Sequence, residues 1–135
     1  MTAITTPRLK ESTDSLLRFA MRTDAVISGI AGIAGIPLAG WLAETSGTTK
    51  AFEYSMGAFF IVFAVGAFWL AAQPSVRRAG MWVAIGNLLF TVASVALVLT
   101  DVFPLTTTGV VLTLGTAAYT AVIGELQYQG WRRIK

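Results

Sequence analysis

The feature that most constrains this chain is a run of 19 residues without a charge, from Ala25 to Ala43, with the sequence AVISGIAGIAGIPLAGWLA. At about 1.5 Å of rise per residue, a helix of this length nearly matches the roughly 30 Å hydrocarbon core of a bilayer. In lipid, a segment must satisfy its backbone hydrogen bonds internally, as an α-helix does. The run therefore predicts a transmembrane helix over about residues 24–43, with a kink at Pro37.

Three further apolar stretches follow, separated by short polar loops. They predict transmembrane helices over about residues 52–72, 80–100 and 107–126. Hydrophobic residues make up 55% of the chain and charged residues 13%, whereas soluble domains carry about 25% charge. Lipid is thus the expected solvent, and the predicted fold is all-α: a polytopic four-helix transmembrane bundle forming a single membrane domain, residues 1–135.

Two polar segments precede the first crossing. Residues 1–11 show no apolar period and predict a mobile tail. Residues 12–23 alternate apolar side chains with Arg18 and Arg22, a pattern typical of a short amphipathic helix at the level of the lipid headgroups.

The basic residues predict the orientation of the bundle. The chain has 10 Lys and Arg residues, and all except Lys50 fall on the same side of the predicted crossings. The cytoplasmic side of membrane proteins carries such an excess. We therefore expect a multi-pass protein of the plasma membrane with both termini in the cytoplasm.

The chain contains no Cys and no His. Their absence excludes disulfides, thiolate nucleophiles, Cys/His zinc sites, bis-histidine haem ligation and a Ser-His-Asp triad. No nucleophile–base pair remains, so we expect no enzyme, no cofactor and no metal. The net charge of +3 is spread over separate loops, which argues against nucleic acid as a partner.

A few polar side chains fall within the predicted crossings and form a candidate polar cluster. Its members are Asp24, Ser28, Asn87, Tyr119 and Glu125. We place Asp24 at the edge of the first crossing, where the simplest role is an ion pair with Arg22, Arg77, Arg78 or the C-terminal arginines. Alternatively, the cluster converges in one cavity on the cytoplasmic side, with Asp24 as a proton or cation site, because intramembrane ionisable residues commonly mark function. The simpler alternative for Asn87, Tyr119 and Glu125 is hydrogen bonding between helices.

Small residues recur along the first crossing and favour close approach of a neighbouring helix. They are Gly29, Gly32, Gly35 and Ala39. Our first hypothesis is accordingly a non-catalytic accessory or scaffold subunit that packs in the bilayer against other membrane proteins or a second copy of itself. The alternative is a small transporter or ligand-binding bundle that uses the polar cluster.

The run LLRFAMRTDAVISGIAG, which contains Arg18, Arg22, Asp24 and Ala25, resembles the opening of a family of small four-helix integral membrane proteins common in actinobacteria. GAFFIVFAVGAFWLAAQP and IGNLLFTVASVALVL are similar to the second and third crossings of that family, including Asn87. The resemblance extends from Leu16 onward. It implies a four-helix membrane fold and no particular activity.

Overall fold

The computed structural model describes residues 14–134 in full and, for residues 2–13, only their place in the first helix. The helices are α1 (Thr2–Gly35), α2 (Ala39–Ser46), α3 (Lys50–Ala71), α4 (Arg77–Leu99) and α5 (Thr107–Arg132). No strand occurs between residues 2 and 134, and the prediction of an all-α fold is confirmed. The predicted mobile tail, residues 1–11, lies outside the residues described in full and stays a prediction.

Three helices are long and apolar enough to cross a membrane: α3, α4 and α5, with 22, 23 and 26 residues. They lie close to the stretches predicted at 52–72, 80–100 and 107–126. A fourth span exists if α1 and α2 count together, since the pair meets the same criterion but is bent by 91°. The described part of the chain thus has three helices suited to a bilayer, or four with the broken one.

The bend at Pro37 is much sharper than the predicted kink. Helix α1 ends at Gly35, and α2 leaves at 91° after a turn of three residues. Proline has no N–H to donate to the preceding turn, and it also disfavours helical geometry at Ile36 before it. The amide of Ala39 donates to the Ile36 carbonyl at 3.2 Å and starts the new helix. Helix α2 then lies against α3 and α5.

The long helices pack as two pairs, α1 with α3 and α4 with α5. Helix α1 also packs along α5 and thereby joins the pairs, whereas α3 and α4 barely touch. The bundle is therefore closed along the α1–α5 seam and loose along the α3–α4 seam.

Glycine permits the close approach of α1 to α3. A Cβ atom on Gly32 would lie 2.6 Å from the carbonyl oxygen of Gly57, and one on Gly29 would lie 3.3 Å from the Ala64 Cβ. Ala39 is fully buried, whereas a Cβ on Gly35 would meet nothing within 4 Å. Of the four predicted packing residues, three therefore serve contacts inside this chain and Gly35 serves none.

The segment 12–23, predicted to lie separately at the membrane surface, forms part of α1, which continues without a break to Gly35. Leu17, Ala20 and Met21 are fully buried. Leu17 fits between Gly80 of α4 and Gly130 of α5, where any side chain would collide with it. We call this end of the bundle, which carries Arg18, Arg22, Arg77, Arg78, Arg132 and Arg133, the basic end.

Arg18 explains why α1 extends through a segment containing charges. Its guanidinium donates to the carbonyl oxygens of Ala71 at 2.8 Å, Gln73 at 2.6 Å and Pro74 at 2.9 Å, where α3 ends. It also pairs with Asp14 at 3.0 Å. A cation at the carboxyl end of a helix satisfies carbonyls that have no intrahelical donor and complements the helix dipole. Arg18 is thereby a structural cap of α3.

Candidate functional site

Asp24 lies in the middle of the bundle rather than at the predicted edge of a crossing. Ten residues of α1 separate it from Asp14 and eleven from Gly35, and its relative exposure is 1%. Its partner Asn87 comes ten residues after the start of α4 and twelve before its end. At about 1.5 Å per residue, Asn87 thus lies about 15 Å or more from either end of α4. Asp24 itself lies 22 residues after the start of α1 and 11 before its end.

Four neutral groups donate hydrogen bonds to the Asp24 carboxylate. Oδ1 accepts from the Tyr119 hydroxyl at 2.8 Å and from the Ser28 hydroxyl at 3.2 Å. Oδ2 accepts from the amide nitrogens of Asn87 at 2.8 Å and Gln127 at 3.0 Å. A carboxylate has about four acceptor positions, so this shell of donors is full.

The expected ion pair between Asp24 and an arginine does not form. Among residues 14–134, the ion pair is Arg18–Asp14. Arg22 points outward and is exposed, and the Arg77 guanidinium lies 4.8 Å from the centre of the Trp131 ring. These side chains point away from Asp24, whose carboxylate has no cationic partner among the described residues.

Asn87 ties the site to three helices. Its amide nitrogen donates to Asp24 of α1, to the side-chain oxygen of Gln127 on α5 at 2.9 Å, and to the Val83 carbonyl of α4 at 3.2 Å. An amide nitrogen has two hydrogens, so these three acceptors share them. One turn further along α4, the hydroxyls of Thr91 and Thr120 lie 2.6 Å apart and join α4 to α5 again.

Glu125 does not belong to the cluster, contrary to our expectation. It is exposed, and it accepts a hydrogen bond from Gln129 at 2.7 Å. At about 100° per residue, position 125 faces away from Tyr119 and Gln127, which lie eight residues apart on the same helix face. The fully buried Gln127 takes its place and is the site residue that the sequence reasoning missed.

A cavity of about 530 Å³ extends from Asp24 between α1, α3, α4 and α5. Its polar end is formed by Asp24, Ser28, Asn87 and Tyr119. Phenylalanines form an aromatic wall on the α3–α4 side: Phe59, Phe60, Phe63 and Phe90. Ring centres of Phe59 and Phe60 lie 6.1 Å and 5.8 Å from that of Phe90, so these rings bridge the loose seam.

The cavity is open toward the surroundings of the bundle. Ile27, Phe59, Val111 and Leu112 line it, yet they remain 42%, 51%, 62% and 46% exposed. Two further lining residues, Gly86 and Gly115, have nothing within 4 Å of the position that a Cβ would take. Because glycine has no side chain, these two positions leave the cavity open next to its polar end.

This arrangement is suited to binding. A carboxylate, an amide and two hydroxyls converge, but no activated nucleophile or set of oxyanion donors accompanies them. Among the described residues, no group of three or more Asp and Glu side chains could hold a metal ion. The site offers one negative charge, fixed hydrogen-bond geometry and an aromatic wall.

Comparison with known proteins gives no relative, since no family model, no curated protein and no solved structure matches the chain. The resemblance to the actinobacterial family of small membrane proteins therefore stays a prediction. Any function must be argued from the site itself.

Proposed function

We propose that this chain is a multi-pass integral membrane protein that binds a small organic ligand in its central cavity, as transporters and intramembrane carriers do. The observation that supports the proposal is the buried Asp24 cluster at one end of an open, otherwise apolar cavity. This observation favours the second hypothesis from the sequence, a small transporter or ligand-binding bundle, over an accessory or scaffold subunit.

The cavity has the properties of a ligand site. Its volume of about 530 Å³ falls within the range of roughly 300–1,000 Å³ that is usual for small-molecule pockets. Such pockets are mostly apolar and contain a few convergent polar groups that fix the orientation of the ligand. Asp24, Asn87 and Tyr119 supply those groups here.

The depth of the site favours transport. Transporters commonly bind their substrates near the bilayer midplane, next to interrupted helices. Asp24 is hydrogen-bonded to Asn87 and Tyr119, which lie near the middle of α4 and of α5. We propose that the basic end faces the cytoplasm of a cell whose plasma membrane holds the protein, because the excess of Lys and Arg there follows the usual bias.

The accessory or scaffold hypothesis loses its main support. It depended on small-residue faces that are available to a partner, but Gly29, Gly32 and Ala39 pack inside this chain. It stays a prediction without a specific surface to support it.

Filling the cavity tests the proposal. We would measure binding of radiolabelled 1,1,1-triphenylethane, a neutral apolar probe, to protein in phosphatidylcholine nanodiscs. The signal is the saturable binding above that of empty nanodiscs. Gly86→Leu puts a side chain into the cavity. We expect affinity to fall about fivefold or more, because forced overlap costs about 1–3 kcal/mol.

The matched control is Gly66→Leu. Gly66 also has open space at its Cβ position, but it does not line the cavity. We expect the affinity of Gly66→Leu for the neutral probe to stay within about twofold of that of the parent chain, as for a surface substitution. Absence of a saturable component in the parent chain, or equal affinity in Gly86→Leu and Gly66→Leu, would rule out the proposal.

A further inference from the structure

We infer that the ligand of the cavity is an amphipathic organic monocation whose charge is carried on a centre without hydrogen-bond donors, such as a quaternary ammonium or phosphonium. The inference rests on the proposed function and names its ligand class. The charge of the ligand would lie beside Asp24, and its apolar body would lie along the aromatic wall.

The sign of the ligand charge follows from Asp24. An unpaired carboxylate that is 1% exposed is costly in a medium of low dielectric, and buried charges are normally paired. Its neighbours Ser28, Asn87, Tyr119 and Gln127 orient it through hydrogen bonds but carry no opposite charge. A bound monocation would complete the pair.

The absence of donors on the ligand follows from the full shell of hydrogen bonds. Four protein groups already occupy the acceptor positions of the carboxylate, at 2.8–3.2 Å. A primary ammonium would have to displace one of them in order to use its own hydrogens. A quaternary centre has no hydrogens to place, and its attraction to the carboxylate is purely coulombic.

The aromatic wall supports the same class. Phe60 and Phe90 line the cavity with Asp24, and their ring centres lie 5.8 Å apart. Faces of aromatic rings attract quaternary ammonium groups, and clusters of such rings recognise them in other proteins. The apolar remainder of the cavity accepts the hydrocarbon part of the ligand.

A charge series on the unmodified chain tests the inference. The probes have the same shape: methyltriphenylphosphonium is a cation, 1,1,1-triphenylethane is neutral, and methyltriphenylborate is an anion. In phosphatidylcholine nanodiscs, whose lipid has no net charge, we expect the cation to bind at least about tenfold more tightly than the neutral probe, with no saturable binding of the anion.

Asp24→Asn should remove the preference for the cation, so that the cation and the neutral probe bind this variant with similar affinity. Glu125→Gln makes the same chemical change on an exposed side chain outside the cavity, and it should preserve the preference. Equal affinities of the cation and the neutral probe for the parent chain would overturn the inference, even if Asp24→Asn failed to fold.

The outcomes separate this inference from the proposed function. If the neutral probe binds and Gly86→Leu abolishes its binding, but the cation gains nothing, the cavity is a ligand site and only the charge assignment is wrong. If no probe shows saturable binding to the parent chain, both the site and its ligand class are wrong.

Discussion

The amide of Asn87 donates to Asp24 and to Gln127, which belong to helices α1 and α5. Through this side chain, α4 is fixed to both neighbours at the depth where the cavity begins. The cluster therefore orients the Asp24 carboxylate and also sets the register of three helices.

Removing this amide should destabilise the bundle. Asn87→Ala keeps the Cβ that packs next to Gly124 but leaves the Gln127 oxygen without its donor. We expect a loss of about 1–3 kcal/mol in the free energy of unfolding, the usual cost of an unsatisfied buried group. Titration of the detergent-solubilised protein with a denaturing detergent, followed by circular dichroism, measures it.

Gln129→Ala is the control for this prediction. The Gln129 amide hydrogen-bonds to exposed Glu125, so its loss should cost less than about 0.5 kcal/mol. Equal stabilities of the two variants would show that the Asn87 contacts do not hold the helices together.

The sequence identified four members of the site but misjudged its depth and missed one donor. Arg18 and Arg22 suggested that the membrane began after them, whereas Arg18 is satisfied by carbonyls of α3 and permits an earlier start of the span. The apolar pattern ends the fourth predicted crossing at residue 126 and therefore leaves Gln127 outside the predicted cluster. Its spacing of eight residues from Tyr119 was a signal of a shared face.

At the scale of elements, the end of α3 depends on a side chain from α1. Three carbonyls near Ala71 accept hydrogen bonds from Arg18, which links the two helices at the basic end. This contact and the glycine packing of Gly32 against Gly57 hold the α1–α3 pair at both ends.

Arg18→Gln should loosen this pair. Hydrogen bonds to charged groups contribute about 1.5–3 kcal/mol, and glutamine can restore only part of them. We expect faster amide hydrogen exchange in residues 68–74, measured by mass spectrometry in nanodiscs, with little change in α5. The control is Arg22→Gln, which alters an exposed side chain on the same helix; exchange as fast in this control as in Arg18→Gln would contradict the capping role.

The helical elements themselves were predictable because long apolar runs permit few structures in lipid. The break between α1 and α2 was not. A proline within a membrane helix is compatible with a mild kink or with a complete turn, and packing of neighbouring helices decides between them. Here α2 packs against α3 and α5, which stabilises the 91° bend.

At the scale of the whole molecule, the charges predict which end faces the cytoplasm. Because the chain has no Cys, a single introduced cysteine can be labelled selectively. Its reaction with an impermeant reagent shows on which side of the membrane it lies. Ser75 lies in the exposed loop at the basic end, and Thr108 is exposed at the opposite end. The variants Ser75→Cys and Thr108→Cys therefore test the two ends separately.

We expect a membrane-impermeant maleimide applied to intact cells to label Thr108→Cys and not Ser75→Cys. After permeabilisation both should react, which verifies that each thiol is accessible. The reverse pattern would place the basic end outside and contradict the orientation.

The central claim is that the cavity beside Asp24 receives a cationic ligand, and photo-crosslinking tests it most directly. A benzophenone-bearing triphenylphosphonium, irradiated with the protein in phosphatidylcholine nanodiscs and mapped by mass spectrometry, should attach to the cavity residues Ile27, Phe90 and Thr116. In Asp24→Asn the yield of these attachments, at a probe concentration below saturation, should fall about tenfold. Attachment confined to the exposed residues Val62, Leu88 and Leu99, with the same pattern in Asp24→Asn, would contradict the account.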